Sequence, residues 1–307
     1  MHFGLLKKYI FIEVEITMSH DMTCYQINGQ PIYVREEGLA RHPVALLIHG
    51  WSSSWYAMSP LVPLLSSKRF RCLAVDLPGY GQTPPGPGRV TIAGYADLLA
   101  DLIQAVSDRP VVLIGHSMGG MISLTLALRH PHLVERMVLL CPTISGRLSL
   151  FINLFISPVT ILERFSLAGK IVSLLEPQML GVTDRLMRPA SIAARTGITP
   201  ADYQHIRADA RRPGQGRVRA ECFWAMREGD LRGKLGQIEA PSLIIWGMED
   251  NTVPLSDASF LADEWPAADL RIVPKASHWP QFETPEVTQR YVTAFLSKPL
   301  KLLKFEL

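Results

Sequence analysis

The chain has 307 residues, of which 48% are hydrophobic and 19% are charged, and its formal net charge at pH 7 is +3. This length is sufficient for one large globular core, or for a core with a smaller attached unit. The net charge is small and no basic run is interleaved with aromatic residues, which excludes nucleic acid as an expected partner.

The N-terminal segment and the cysteines both favour a cytoplasmic protein. Residues 1–22 are predicted to be an extension, either a leading strand or a loosely ordered segment. Its apolar stretch is interrupted by Lys7, Lys8, Glu13 and Glu15, and no small-residue cleavage site follows. No segment reaches the roughly 18 consecutive apolar residues of a membrane-spanning helix. The four cysteines are widely separated, which is typical of buried thiols in a reducing compartment and not of a zinc site.

The first half of the chain alternates strand and helix patterns. "YQINGQPIYVREEG" is typical of a hairpin that turns at Asn28 and Gly29. "PVALLIHG", "RFRCLAV" and "RPVVLIG" are continuous apolar runs, as found in strands covered on both faces. Thr91 is predicted to cap a helix over "IAGYADLLADLIQAV". The helical pattern "MISLTLALRH" and the strand "LVERMVLLCP" follow, so we predict an α/β fold with a mostly parallel central sheet flanked by helices.

This alternation stops near residue 143 and returns near residue 237. The intervening segment reads as helices and loops, and in one of them Thr199 is the predicted cap and Pro200 the first helical residue. Strand patterns return with "PSLIIWG" and "DLRIVP", and a final helix begins at "TPEVTQRYVTAFL". We therefore predict a core of residues 23–142 and 237–298, a helical cap inserted at 143–236, and a C-terminal tail at 299–307.

A serine surrounded by glycines follows the third buried strand, in "VVLIGHSMGG". Gly119 and Gly120 each cost up to about 1 kcal/mol relative to alanine in a first helical turn, so their presence requires a reason. A sharp, strained turn would expose the Ser117 hydroxyl, and it needs small residues at Gly115 and Gly119 where strand and helix cross. The G-x-S-x-G pattern in this context predicts a nucleophile. The alternative is a tight turn without chemistry, in which the serine only caps the helix.

A nucleophilic serine needs a base, and the base needs an orienting carboxylate. Asp250 follows the strand "LIIWG", and His278 follows the next strand, "LRIVP", so both lie at the same sheet edge as Ser117. His278 is predicted to accept the serine proton, and Asp250 to fix its tautomer. Glu249 and Asp257 are within reach of the same loop, but Asp250 is favoured over both.

Acyl chemistry also needs hydrogen-bond donors for the developing oxyanion. The backbone N–H of Met118, directly after the serine, is one candidate. The second is the N–H of Trp51, in the loop after "VALLIHG". In this loop Gly50 lets the main chain bend, and His49 is predicted to brace the loop and not to titrate in catalysis.

The motifs "HGW", "DLPGYGQT", "GHSMGG", "WGMEDNTVP" and "SHWPQFETPE" together resemble the α/β-hydrolase superfamily, over roughly residues 27–296. The resemblance implies an α/β-hydrolase fold with an inserted cap, no cofactor, and a structural role for Asp76 at a strand end. Ser277 departs from the pattern, since relatives commonly have glycine before the histidine. The site that the resemblance implies consists of a Ser117–Asp250–His278 triad and an oxyanion hole formed by the amides of Trp51 and Met118.

The leading functional hypothesis is a serine hydrolase that cleaves a small-to-medium apolar carboxylic ester through an acyl-enzyme on Ser117. Relatives that cleave carbon–halogen bonds or epoxides carry aspartate at this position. The apolar cap stretch "LFINLFISPVTILERF" favours a lipophilic acyl or alcohol part.

Three alternatives stay open at this stage. One is a carbon–carbon bond hydrolase of ring-fission products, although that group commonly has asparagine in place of His116. The others are a thioesterase or acyltransferase, and a ligand-binding receptor with a slow triad. The C-terminal "SKPLKLLKFEL" is compatible with a short basic amphipathic helix and weak peripheral membrane contact, or else with a frayed tail.

Overall fold

The computed structural model describes residues 17–19, 22–150, 153, 198–210, 212 and 214–300. Nine strands of this part of the chain form one sheet. The strands are β1 Thr17–Ser19, β2 Met22–Ile27, β3 Gln30–Glu37, β4 Val44–Ile48, β5 Arg71–Val75, β6 Val111–His116, β7 Val134–Leu140, β8 Ser242–Gly247 and β9 Asp269–Val273. The first 16 residues, nearly all of the apolar cap stretch and the last seven residues of the predicted tail lie outside the described residues.

The sheet is mostly parallel, as the sequence predicts. Its strand order is β1-β2-β3-β5-β4-β6-β7-β8-β9, and the six neighbouring strands from β5 to β9 run parallel. The first three strands form an antiparallel meander that joins this parallel group through β3 and β5. Because parallel strands end on the same side, the loops after β4, β6, β8 and β9 all lie at one edge of the sheet.

The predicted hairpin is confirmed. β2 and β3 pair antiparallel, with Ile27 opposite Gln30. The two residues between them, Asn28 and Gly29, have φ values of 51° and 78°. Positive φ at both central positions is the conformation that an Asn-Gly dipeptide favours in a two-residue hairpin turn.

Eight α-helices surround the sheet in the described residues. They are α1 Val62–Ser67, α2 Ile92–Val106, α3 Met118–Arg129, α4 Pro200–Ala210, α5 Gly216–Glu228, α6 Ser256–Glu264, α7 Pro280–Glu283 and α8 Pro285–Ser297. The predicted caps are confirmed, since the Thr91 hydroxyl accepts from the Gly94 amide at 2.9 Å and the Thr199 hydroxyl from the Asp202 amide at 3.1 Å. No helix in this part of the chain has both the length and the apolar character needed to cross a bilayer.

The parallel strands are covered on both faces, which explains their continuous apolar sequences. In β4, Leu46 and Ile48 pack into one buried cluster with α2, α3 and α6. Leu47, between them, packs into a second cluster with α1 and α8 on the opposite face. The two clusters bury the central strands on both faces, so the loops at the strand ends start from closely packed positions.

We predict that a single methyl group at Gly119 destabilises the fold. A Cβ there would lie 2.2 Å from the carbonyl oxygen of Ile48, a backbone atom of β4 that cannot rotate away. Gly119→Ala is expected to lower the free energy of unfolding by about 1–3 kcal/mol, measured by urea denaturation. Gly88→Ala is the matched control, because a Cβ at Gly88 meets nothing within 4 Å. Equal stability of the two variants would contradict the crossing that we describe.

Candidate active site

Ser117 occupies a strained turn between β6 and α3. Its φ is 54° and its ψ is −117°, a combination that residues with a side chain rarely adopt. Its amide donates to the carbonyl of Leu140 at the end of β7, and its carbonyl accepts from the Gly120 amide, each at 2.9 Å. A Cβ at Gly115 would lie 2.5 Å from the carbonyl oxygen of Gly119, so both glycines are required where strand and helix cross. The turn therefore fixes the position of the hydroxyl.

His278 and Asp250 lie side by side in the loops after β9 and β8. The distance between His278 Nδ1 and Asp250 Oδ2 is 2.9 Å, and both side chains are buried. The other carboxylate oxygen, Oδ1, accepts from the amides of Thr252 at 2.8 Å and Val253 at 3.0 Å. Because a carboxylate only accepts, Nδ1 carries the proton, and Nε2 is the nitrogen that remains for another partner.

The electrostatics of this pair favour a charged carboxylate. Burial by itself would raise the pKa of Asp250. The attraction and the hydrogen bond from His278 oppose it, together with the two backbone amides, and the net result is a pKa below the ordinary value. A buried carboxylate in this state can stabilise a positive charge on the neighbouring imidazole.

The other two carboxylates considered for this role lie elsewhere. Asp257 accepts from the amides of Ile144 and Ser145 at 2.9 and 3.0 Å and from the Ser145 hydroxyl at 2.8 Å. Glu249 is exposed to solvent. Among the three, Asp250 is the carboxylate that contacts His278.

His116 connects the serine turn to the histidine loop. Its Nε2 donates to the carbonyl oxygen of His278 at 2.8 Å, and the two imidazole centroids are 4.9 Å apart. Burial lowers the pKa of His116 to about 3, so its ring is neutral. Since Ser117 directly follows His116, this contact places the turn at Ser117 next to the loop that carries His278. Sequence reasoning assigned His116 no such role, and its only signal was the position next to the serine.

The two amides predicted to form an oxyanion hole border the same turn. A Cβ at Gly50 would lie 3.1 Å from the Ser117 Cβ, so the main chain after β4 passes directly beside the serine. Trp51 is the next residue along this chain. Met118 is the first residue of α3, and the first amides of a helix have no partner inside it. The positive end of the helix dipole is directed toward the same region.

The loops around Ser117 are braced by buried polar side chains. His49 Nδ1 donates to the Gly50 carbonyl at 2.7 Å, and its Nε2 accepts at 3.0 Å from the amide that follows Asp76. Burial lowers the pKa of His49 to about 4, so the contacts agree with bracing and not with titration. Asp76 accepts from the amides of Trp55 and Gln82, each at 2.8 Å, and this ties two loops to the end of β5.

Glu283 stabilises the loop that carries His278. This residue was not singled out from the sequence. Its carboxylate accepts from the Ser277 amide, and its own amide donates to the carbonyl of Trp279 at 2.8 Å. Burial raises the pKa of Glu283 to about 7. The hydroxyl of Ser277, at the position where the resemblance leads one to expect glycine, is buried and makes no hydrogen bond within the described part of the chain.

One group of potential metal ligands lies in the described part of the chain. The donor atoms of Cys141, Asp250 and His278 are all within 4.8 Å of one another and are buried. A metal would require a thiolate, but burial raises the pKa of Cys141 well above its ordinary value. It would also displace the hydrogen bond between His278 and Asp250. The chemistry of these three side chains therefore favours the hydrogen bond between His278 and Asp250 over the binding of a cation.

A strained serine between strand and helix, with an imidazole and a carboxylate at neighbouring strand ends, is typical of nucleophilic hydrolases on open α/β sheets. Residues 43–285 match the alpha/beta hydrolase fold family, and the chain belongs to that family. The comparisons with known proteins therefore support hydrolase activity for this chain.

Individual relatives agree with this assignment. The chain is 27% identical over 288 residues to the uncharacterized hydrolase YugF of Bacillus subtilis, covering 89% of this chain and 96% of the relative. It is 27% identical over 268 residues to the pimeloyl-(acyl-carrier protein) methyl ester esterase of Aeromonas hydrophila, covering 82% and 95%. The solved structure of an esterase from Exiguobacterium antarcticum superimposes with a TM-score of 0.74 at 19% identity, covering 91% of this chain and 99% of that chain, and supports the fold.

Glu283 is expected to make stability depend on pH. Its folded-state pKa of about 7 lies above the ordinary value of 4.5, so the folded protein retains a proton that the unfolded chain loses. Stability is therefore highest below pH 4.5 for this group and falls by roughly 2–3 kcal/mol as pH rises to 7. Urea denaturation at pH 5 and pH 8 should show a smaller difference for Glu283→Gln than for the wild type. The exposed Glu249→Gln control should keep the wild-type difference, and an unchanged difference in Glu283→Gln would refute this role.

Proposed function

We propose that this protein is a serine hydrolase that cleaves a small-to-medium apolar carboxylic ester through an acyl-enzyme on Ser117. The observation that carries the proposal is the 2.9 Å contact between His278 Nδ1 and Asp250 Oδ2. It fixes the imidazole tautomer so that Nε2 is free of a proton and can act as a base. The strained turn at Ser117 supplies the nucleophile for this base.

In the acylation step, Ser117 Oγ attacks the ester carbonyl carbon and its proton passes to His278 Nε2. The carbonyl oxygen becomes an oxyanion, which accepts hydrogen bonds from the amides of Trp51 and Met118. As the tetrahedral intermediate collapses, the carbon–oxygen bond to the alcohol breaks. The imidazolium then gives its proton to the leaving oxygen, and the acyl group stays on the serine.

Deacylation repeats the same sequence with water as the nucleophile. His278 takes a proton from water, the hydroxide oxygen attacks the acyl carbon, and the second intermediate collapses to release the acid and restore the Ser117 hydroxyl. In both steps His278 passes through its charged form. The negative charge of Asp250, favoured by its lowered pKa, stabilises that form.

Support for an ester substrate comes from one relative and one sequence feature. The Aeromonas relative is named as a methyl ester esterase. The apolar stretch "LFINLFISPVTILERF" belongs to the predicted cap at 143–236, in which α4 and α5 are the described helices. We infer from the composition of this stretch that the substrate has a lipophilic acyl or alcohol part.

Covalent labelling tests the nucleophile. We expect a fluorophosphonate probe to give one adduct, located on Ser117 by mass spectrometry, because the probe reacts with a serine activated by an adjacent base. Ser117→Ala should abolish both the adduct and the hydrolysis of short nitrophenyl esters, and His278→Ala should lose the adduct. Ser67→Ala, at an exposed serine on α1, is the control and should behave as wild type. Rapid turnover of a ring-fission dienone acid without ester hydrolysis would favour the carbon–carbon hydrolase instead.

The carboxylate is tested separately. Asp250→Asn keeps the shape of the side chain but replaces one of its two acceptor oxygens by an NH2 donor, so His278 can adopt the wrong tautomer. We expect kcat/KM for nitrophenyl esters to fall about 10³- to 10⁴-fold with little change in KM. Glu249→Gln removes the neighbouring charge and should retain wild-type kinetics. Equal losses in the two variants would mean that charge in this loop matters and the hydrogen bond does not.

A further inference from the structure

Two helices of the inserted segment, α4 and α5, form hydrogen bonds with the loop that carries Trp51. We call residues 51–56 the oxyanion loop. The indole Nε1 of Trp51 donates to the backbone carbonyl of Arg219 in α5 at 2.9 Å. The Nε of Arg219 donates in turn to the hydroxyl of Ser52 at 3.0 Å. One residue of α5 therefore holds two consecutive residues of the oxyanion loop, one through its main chain and one through its side chain.

The oxyanion loop has a conformation that needs such support. The φ of Ser52 is 54°, in the left-handed region that residues with a side chain rarely occupy. Strained backbone of this kind costs about 1–3 kcal/mol and persists where the surroundings over-determine it. The hydrogen bond from Arg219 acts on this strained residue, and the peptide that joins it to Trp51 contains the Ser52 amide. A change at Ser52 thus rotates the peptide next to the Trp51 amide.

Arg219 is itself fixed in place. Its Nη2 donates to the carbonyl of Ala210, the last residue of α4, at 2.8 Å. One turn further along α5, the ring of Phe223 lies 6.2 Å from the Trp51 ring. The guanidinium therefore links the end of α4, the body of α5 and the oxyanion loop in one hydrogen-bonded unit.

The far end of the oxyanion loop is attached to α4. The Ser54 hydroxyl donates to the buried carboxylate of Asp209, and the Tyr56 hydroxyl donates to Asp202 Oδ1 at 2.7 Å. Both acceptors belong to α4. The loop is thus bonded to the inserted segment at both ends, whereas Asp76 holds it to the core through the Trp55 amide.

We propose that Arg219 is a positioning residue for the oxyanion hole, so that docking of α5 on the core sets the orientation of the Trp51 amide. The proposal rests on the proposed function, because it assigns Arg219 a role in the same site. Arg219 acts through the oxyanion loop and does not touch the reacting atoms. The hole is complete only when the inserted segment is in place.

This role has a kinetic signature that a purely structural role lacks. A displaced amide weakens the hydrogen bond to the oxyanion, which exists in the transition states of acylation and deacylation and not in the bound ester. Loss of Arg219 should therefore lower kcat and leave KM nearly unchanged. Removing one oxyanion donor outright costs about 10²- to 10³-fold, so a misplaced donor should cost about tenfold or more.

The test compares Arg219→Ala and Ser52→Ala with Arg217→Ala. Arg217 lies on the same helix, its side chain is 55% exposed, and it pairs with Glu221 at the surface. For a short nitrophenyl ester, both test variants should lose about tenfold in kcat with KM within about twofold, and the control should match wild type. The double variant should lose no more than Arg219→Ala alone, since both changes remove the same hydrogen bond.

A trifluoromethyl ketone supplies the second readout. Ser117 adds to its carbonyl carbon, the serine proton passes to His278, and the resulting oxyanion occupies the hole without turnover. Its affinity should fall by the same factor as kcat/KM in both test variants. Thermal unfolding monitors the fold, and if Arg219→Ala is unstable, Ser52→Ala carries the test because it deletes one hydroxyl.

The outcomes separate this proposal from the function on which it rests. If Ser117→Ala retains esterase activity, the proposed function fails and the role of Arg219 fails with it. If Ser117→Ala is inactive while Arg219→Ala and Ser52→Ala both match the Arg217→Ala control, only the role of Arg219 is overturned. A rise in KM at unchanged kcat would also overturn it, since that would place Arg219 in substrate binding.

Discussion

The contact between the start of α3 and the end of β4 is the constraint on which the site depends. At Gly119 the helix main chain packs against the Ile48 carbonyl so closely that a methyl group would lie 2.2 Å from it. Helix and strand can approach in this way only if the chain reverses sharply between β6 and α3. Ser117 is the residue at that reversal, and its positive φ follows from the close approach. The same contact places the loop after β4 beside the serine.

The three buried histidines near this turn differ in the charged groups that surround them. His49 and His116 are fully enclosed, and their pKa values of about 4 and 3 keep both rings neutral. Each donates one N–H to a backbone carbonyl and so acts as a brace. His278 differs because Asp250 faces its Nδ1. The neutral ring of His116, 4.9 Å from that of His278, places no like charge beside it, whereas the Asp250 carboxylate is in direct contact with it.

Local signals in the sequence predicted the features that are determined locally. The Asn28-Gly29 turn and the Thr91 cap follow from the conformational preferences of a few adjacent residues, and the glycines around the serine are recognisable as a short local motif although Gly119 is required by the distant Ile48 carbonyl. The choice between carboxylates was harder, because Asp257 is held by Ser145, which lies 112 positions away. Helix α1 was missed because its six residues are too short for a helical periodicity to be recognised, and no side chain caps it. Glu283 was missed because its burial depends on how the loop after β9 folds back.

The link between the inserted segment and the oxyanion loop is the least accessible to sequence reasoning, since Trp51 and Arg219 are 168 positions apart. The energetic cost of the strained loop is nevertheless similar to the stabilisation that its hydrogen bonds provide. The positive φ of Ser52 costs about 1–3 kcal/mol, and a hydrogen bond contributes about 1 kcal/mol net. The bond that Arg219 donates to Ser52 and the bond that its carbonyl accepts from Trp51 are together of the size needed to offset this cost. If the amides of Trp51 and Met118 form an oxyanion hole as we propose, its geometry depends on the docking of α4 and α5 against residues 51–56.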